Sequence, residues 1–192
     1  MNEGCYITTF AMALRYENAT MNGKDYRIGY TGKLYADPFT VMLASNNLNG
    51  KSLTSRKVKS EITEITTSPI YGNRNNIANK FGVKINYTEL DGFTQKEKMN
   101  KIDALLSSQG YVPIFLAHGT SNDSSYTHFM IIKGRNNNTD PNSRYIVLDP
   151  AGTSSSVAYG VKFKDCPSYS ASPKSNTYKY NFDCVKMIYT IN

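Results

Sequence analysis

Two histidines, three cysteines and no CxxC pair leave this chain short of the ligands a structural zinc site needs. No apolar run approaches the length that crosses a bilayer, so no membrane span is expected. The segment after Met1 lacks a basic n-region and does not read as a secretory signal peptide. Zinc-finger, helix-turn-helix and RNP patterns are missing, which argues against a nucleic-acid partner. Like charges form no block: the net charge of +7 is spread along the chain and is densest over 51–59. That stretch reads as a solvated face, with attraction to an anionic partner as the alternative. No internal repeat and no long linker divide the 192 residues, so a single domain over 1–192 is expected. Cys5 stands so near the start that this domain reads as a module excised from a longer chain.

What the chain does have is helical spacing first and strand-like runs later. Ile7, Phe10, Ala11 and Leu14 give residues 5–16 one apolar face at helical spacing. A polar, turn-rich stretch follows over 18–32. Residues 35–48 read as a second helix, capped by Asp37 with Pro38 in its first turn and Phe39, Met42 and Leu43 turned inward. Residues 52–65 suit either helix or strand. Residues 71–81 read as a helix stopped by Gly82, and 83–88 alternate as a strand does. An amphipathic helix is expected over 94–108, with Met99, Ile102, Leu105 and Leu106 on one side. After Gly110 come strand-like runs at 111–117, 129–133, 144–148 and 185–191. Helices first and an antiparallel sheet after them predict an α+β domain of two layers. The fifteen tyrosines, with abundant Asn, Lys, Ser and Thr, suggest a polar, loop-rich surface.

Three residues stand where thiol chemistry needs them. Cys5 follows Gly4 at the start of the first helix, and a helix N-terminus favours an anion. His128 heads the run 127–134, and Asp149 ends the run 145–149 before Pro150. Cys5 and His128 lie roughly 120 residues apart, as when nucleophile and base come from opposite halves of a thiol-protease fold. In that reading His128 takes the Cys5 proton and returns it to the leaving amine, while Asp149 holds the imidazole tautomer. The Cys5 backbone N–H would donate one hydrogen bond to the oxyanion. His118, ending a strand before a turn-rich segment, is the rival base. Cys166 and Cys184 flank a Ser/Tyr/Pro/Asn-rich loop. Two readings of them stand side by side, a disulfide closing that loop or two buried reduced thiols.

Gly4-Cys5, the segment 11–14, then 109–115, 127–134 and 145–152 together resemble the C39-like branch of papain-fold cysteine peptidases. The resemblance covers both ends of the chain to about residue 152; residues 18–100 and those after 155 carry no motif of it. It implies a papain-like fold, with N-terminal helices packed on a C-terminal antiparallel sheet. It also implies a cysteine endopeptidase with Cys5, His128 and Asp149 as catalytic residues, no metal and no cofactor. The family further implies a bacterial or phage origin and an extracellular or cell-wall-facing location. With the basic charge, a cell-wall (peptidoglycan) endopeptidase is the expected activity, of the kind found in phage lysins, with anionic wall polymers as further partners. Leader-peptide processing, and a catalytically impaired peptide- or wall-binding module, are the alternatives. The family also implies an oxyanion-hole glutamine several residues before the nucleophile. That position precedes Met1, and the glutamines present are Gln95 and Gln109.

Overall fold

The computed structural model of the chain describes residues 4–22, 32–38, 40–41, 44, 74–119, 127–152, 159–174 and 176–192. These fall into two compact units, one holding 3–85 with 191–192 and the other 86–190.

In the first unit, helix α1 (Gly4–Tyr16) starts where the sequence predicts. Its burial is wider than one face: Tyr6, Thr9 and Ala13 are buried along with Ile7, Phe10, Ala11 and Leu14. A small ladder that the sequence reading missed joins the start of the turn-rich stretch to the residues just after it. Strands β1 (Thr20–Asn22) and β2 (Lys33–Tyr35) pair antiparallel, with Met21 opposite Leu34 and both buried. Three residues per strand are too few to show an alternating pattern. Asp37 caps the next helical turn as expected. Its Oδ1 accepts from the Thr40 N–H at 2.7 Å, and the Thr40 hydroxyl oxygen accepts from the Asp37 N–H at 2.9 Å. That turn begins at Pro38 rather than Tyr35, because Tyr35 belongs to β2. Phe39, Met42, Leu43 and the ambiguous segment 52–65 lie outside the described residues. Helix α2 (Arg74–Lys80) buries Ile77 and Ala78. It ends where Gly82 takes a φ of 76°, the left-handed region that glycine enters without strain.

The second unit is built on helix α3 (Gln95–Gln109) and the larger sheet. Thr94 and Glu97 form a reciprocal capping box at the start of α3, and Gly110 closes it with a φ of 78°. The sheet has six strands in the order β3-β8-β4-β5-β6-β7. They are β3 (Ile85–Glu89), β4 (Val112–Ala117), β5 (Thr127–Arg135), β6 (Tyr145–Leu148), β7 (Val161–Lys162) and β8 (Val185–Ile191). Every neighbouring pair runs antiparallel. The expected α+β class and antiparallel sheet are therefore present.

Strand β4 is buried on both sides and lies between β8 and β5. Val112, Ile114 and Leu116 point to the same side as Met130 and Ile132 of β5 and Val147 of β6. Ile102 of α3, with Met99, Leu105 and Leu106, packs against that side. A fully buried aliphatic side chain contributes about 1.5–3 kcal/mol, so this cluster dominates the unit's stability. Between β5 and β6 the chain turns through a short helix, α4 (Pro141–Arg144), capped by Asp140.

A partly buried ion network ties α3 to this β5–β6 hairpin. Asp103 accepts from Arg135 at 2.8 Å, from Arg144 at 2.6 Å and from the Tyr145 hydroxyl at 3.0 Å. Burial opposes ionisation of Asp103, but these donors outweigh it and hold the carboxyl below its ordinary value. Burial and the Asp103 charge push the Tyr145 phenol up. Tyr111, Tyr145 and Tyr180 are buried, so the tyrosines are not only surface residues as composition suggested. A buried phenol needs a partner for its hydroxyl, and Tyr145 finds one in Asp103.

Candidate active site

Antiparallel pairing of β5 with β6 brings the start of one strand to the end of the other. Ile131 lies opposite Leu148, so His128, near the start of β5, comes close to Asp149, just past the end of β6. His128 and Met130 share a side of the sheet, which sets the imidazole at the end of the core cluster. Both groups are buried: Asp149 is 0% exposed and His128 6%.

His128 Nε2 lies 2.7 Å from Asp149 Oδ1. The chain holds the carboxylate with main-chain donors. The Ala151 N–H donates to Oδ1 at 2.9 Å, and the Ser168 N–H donates to Oδ2 at 3.0 Å. Pro150 and the bond from the Gly152 N–H to the Asp149 carbonyl at 2.9 Å set the turn that presents Ala151. Burial alone would raise the Asp149 pKa. The hydrogen bond and positive charge of His128, then Ala151 and Ser168, outweigh burial and lower it. Asp149 is thus an ionised acceptor at neutral pH. A neutral His128 facing it carries its proton on Nε2, which makes Nδ1 the basic nitrogen.

The loop after β7 covers this pair. Ser168 Oγ lies 3.2 Å from His128 Nε2. The ring of Tyr180 lies nearly parallel to the His128 imidazole, with centroids 5.6 Å apart. It is also parallel to His118, with centroids 5.1 Å apart. His118, the rival base, is 8% exposed and directs Nε2 at the Thr177 carbonyl, 3.1 Å away. A carbonyl only accepts, so Nε2 of His118 is a donor there. Asp149 therefore orients His128, while His118 helps to fix the covering loop.

Cys5 lies in the first turn of α1, partly exposed, in the first compact unit. Cys166 and Cys184 are both buried and are not joined to each other, which favours the reduced reading over the disulfide. Cys166 lies near Asp149, and burial, followed by that carboxylate's charge, pushes its thiol up to about 12. Cys184 is pushed up chiefly by burial, and its thiol donates to Asn181 Oδ1 at 3.6 Å. Neither is suited to form a thiolate. Among the described residues no group of three or more His, Cys, Asp or Glu side chains is arranged to hold a metal ion.

The two glutamines are committed away from the His128–Asp149 pair. Gln95 donates its amide to Asp183 at 3.1 Å, and Gln109 donates to the carbonyls of Tyr111 and Tyr189 at 2.7 and 3.3 Å. Ser168 and Tyr180 are the neighbours that sequence reasoning missed. They sit in a Ser/Tyr/Pro/Asn-rich segment that resembles any exposed loop, and only its flanking apolar residues, Phe163 and Phe182, hinted at burial. No protein-family model and no curated protein matches this chain.

Proposed function

We propose that this protein is a cysteine peptidase of papain-like fold, related to the C39-like branch, with Cys5 as nucleophile, His128 as base and Asp149 as orienter. The observation that carries the reading is the buried 2.7 Å contact between His128 and Asp149, with the carboxylate braced by two main-chain N–H groups. That arrangement supplies an imidazole of fixed tautomer, which nucleophilic thiol catalysis requires. The raised thiol of Cys166 and the buried thiol of Cys184 leave Cys5 as the cysteine best suited to react.

In the proposed reaction the Cys5 thiol gives its proton to His128 Nδ1 as Sγ attacks the scissile carbonyl carbon. The tetrahedral oxyanion takes a hydrogen bond from the Cys5 N–H. Collapse breaks the C–N bond, and His128 passes its proton to the departing amine, leaving a thioester. Water then gives a proton to His128 and attacks the thioester, and the proton returns to Sγ as the acid leaves.

The substrate proposed is a peptide of the bacterial cell wall, a peptidoglycan stem or cross-bridge, for a bacterial or phage protein acting at the wall. The net charge of +7 supports an anionic polymer as a neighbour. The placement of Gln95 and Gln109 favours one second reading, a peptide-binding module with weak or no turnover. Loss of one oxyanion donor costs about 10²–10³ in rate. The test is digestion of purified peptidoglycan and of a leader-peptide panel, with new amino termini counted for the parent, Cys5→Ala and His128→Ala. New termini from wall peptides in the parent alone support the proposal. Equal retention of wall peptides by all three proteins, without new termini, would replace it with the binding module.

A further inference from the structure

Residues 166–170 and 179–180 fold against each other and close over the His128–Asp149 pair. The Tyr180 N–H donates to the Ser168 carbonyl at 2.7 Å, and the Ser170 N–H donates to the Tyr180 carbonyl at 2.9 Å. The Tyr169 N–H reaches back to the Cys166 carbonyl at 3.0 Å, and Lys179 Nζ donates to the Pro167 carbonyl. The bond that His118 Nε2 donates to the Thr177 carbonyl ties the same segment to the end of β4. Ser168 and Tyr180 are 5% and 1% exposed, so water has little access to Nε2 past either of them.

We infer that Ser168 and Tyr180 are positioning residues for His128, fixing the imidazole plane and keeping its proton on Nε2. Three contacts place them. The Ser168 N–H fixes Asp149 Oδ2, which turns Oδ1 toward the imidazole. The Ser168 hydroxyl, 3.2 Å from Nε2, supplies a second acceptor beside the carboxylate. The Tyr180 ring supports the imidazole face at an interplanar angle of 14°. Nδ1 thereby becomes the nitrogen presented for proton transfer. The catalytic meaning of this rests on the peptidase reading, but the positioning itself does not.

The test is nitrogen–proton correlation NMR on the full chain labelled at histidine, with Ser168→Ala, Ser168→Thr, Tyr180→Leu and Tyr180→Phe. In the parent the neutral His128 ring is expected to be protonated at Nε2, with slow exchange of that proton. Ser168→Ala and Tyr180→Leu are each expected to speed the exchange about five- to tenfold, the size of losing one ordinary contact. Ser168→Thr keeps a hydroxyl and Tyr180→Phe keeps the ring face, so both are expected to stay near the parent. Exchange and tautomer unchanged in all four variants would overturn the inference. So would equal disturbance in all four, since that marks damage to the loop rather than loss of the named contacts. If the spectra change as expected while the parent cleaves no peptide, the positioning stands and the peptidase proposal falls.

Discussion

Asp149→Asn is nearly isosteric and removes one charge from the centre of the site. In the parent the carboxylate faces three donors: His128 Nε2, the Ala151 N–H and the Ser168 N–H. An amide has one acceptor oxygen. If that oxygen stays on Nε2 and Ala151, the amide NH₂ faces the Ser168 N–H, donor against donor. If the amide flips, the NH₂ faces Nε2 and drives the imidazole proton to Nδ1, the nitrogen that must be basic. Leaving one buried donor unsatisfied costs about 1–3 kcal/mol, which for a chain of this size lowers the melting temperature by roughly 2–12 °C. The wrong tautomer should cost about 10⁴ in kcat, as in other triads whose acid becomes an amide. The pH dependence has a definite sign. The folded Asp149 carboxyl lies below its ordinary value, so its contribution is complete above the unfolded value of about 3.9 and is lost as the pH falls through the folded one. Urea titrations of both proteins at neutral and acid pH measure this. The expected gap between parent and variant is full at neutral pH and closes in acid. Equal stability at neutral pH, or a gap that widens in acid, would refute the reasoning.

Other expectations concern the scaffold. Thr94→Ala removes the side-chain half of the capping box on α3 and should lower stability by about 1 kcal/mol in urea unfolding. Gly160→Ala combines a φ of 76° with a Cβ placed 3.0 Å from Ile146 Cγ2 and Lys133 Cε; it should cost about 2–4 kcal/mol. Gly110→Ala, at a φ of 78° with nothing within 4 Å, should cost about 1–2 kcal/mol, the backbone penalty alone. Cys166 and Cys184 should resist alkylation in the folded protein and react only on unfolding, as mass-spectrometric mapping in and out of denaturant would show.

The second unit was legible because its signals are local. The apolar spacing of Met99, Ile102, Leu105 and Leu106 marked α3, and the runs after Gly110 became β4, β5, β6 and β8. His128 and Asp149 were legible for the same reason. Each stands at an end of its strand, and antiparallel pairing of neighbours brings those ends together. Ser168 and Tyr180 were not legible, since their role depends on a loop folding back through main-chain bonds that leave no residue pattern. The β1–β2 ladder escaped because three-residue strands show no period. Composition failed for tyrosine, because one residue type serves as a buried platform at Tyr180 and as an exposed side chain at Tyr159, which is 77% exposed.

The most direct test of the central claim is the rate of Cys5 alkylation by iodoacetamide, mapped by mass spectrometry in the parent and in His128→Ala. The reagent is best used at a pH about two units below the ordinary thiol value near 8.5, where an unassisted cysteine reacts slowly. The account expects fast, selective labelling of Cys5 in the parent and a loss of that rate in His128→Ala. Slow labelling of Cys5, unchanged by the His128 substitution, would contradict it.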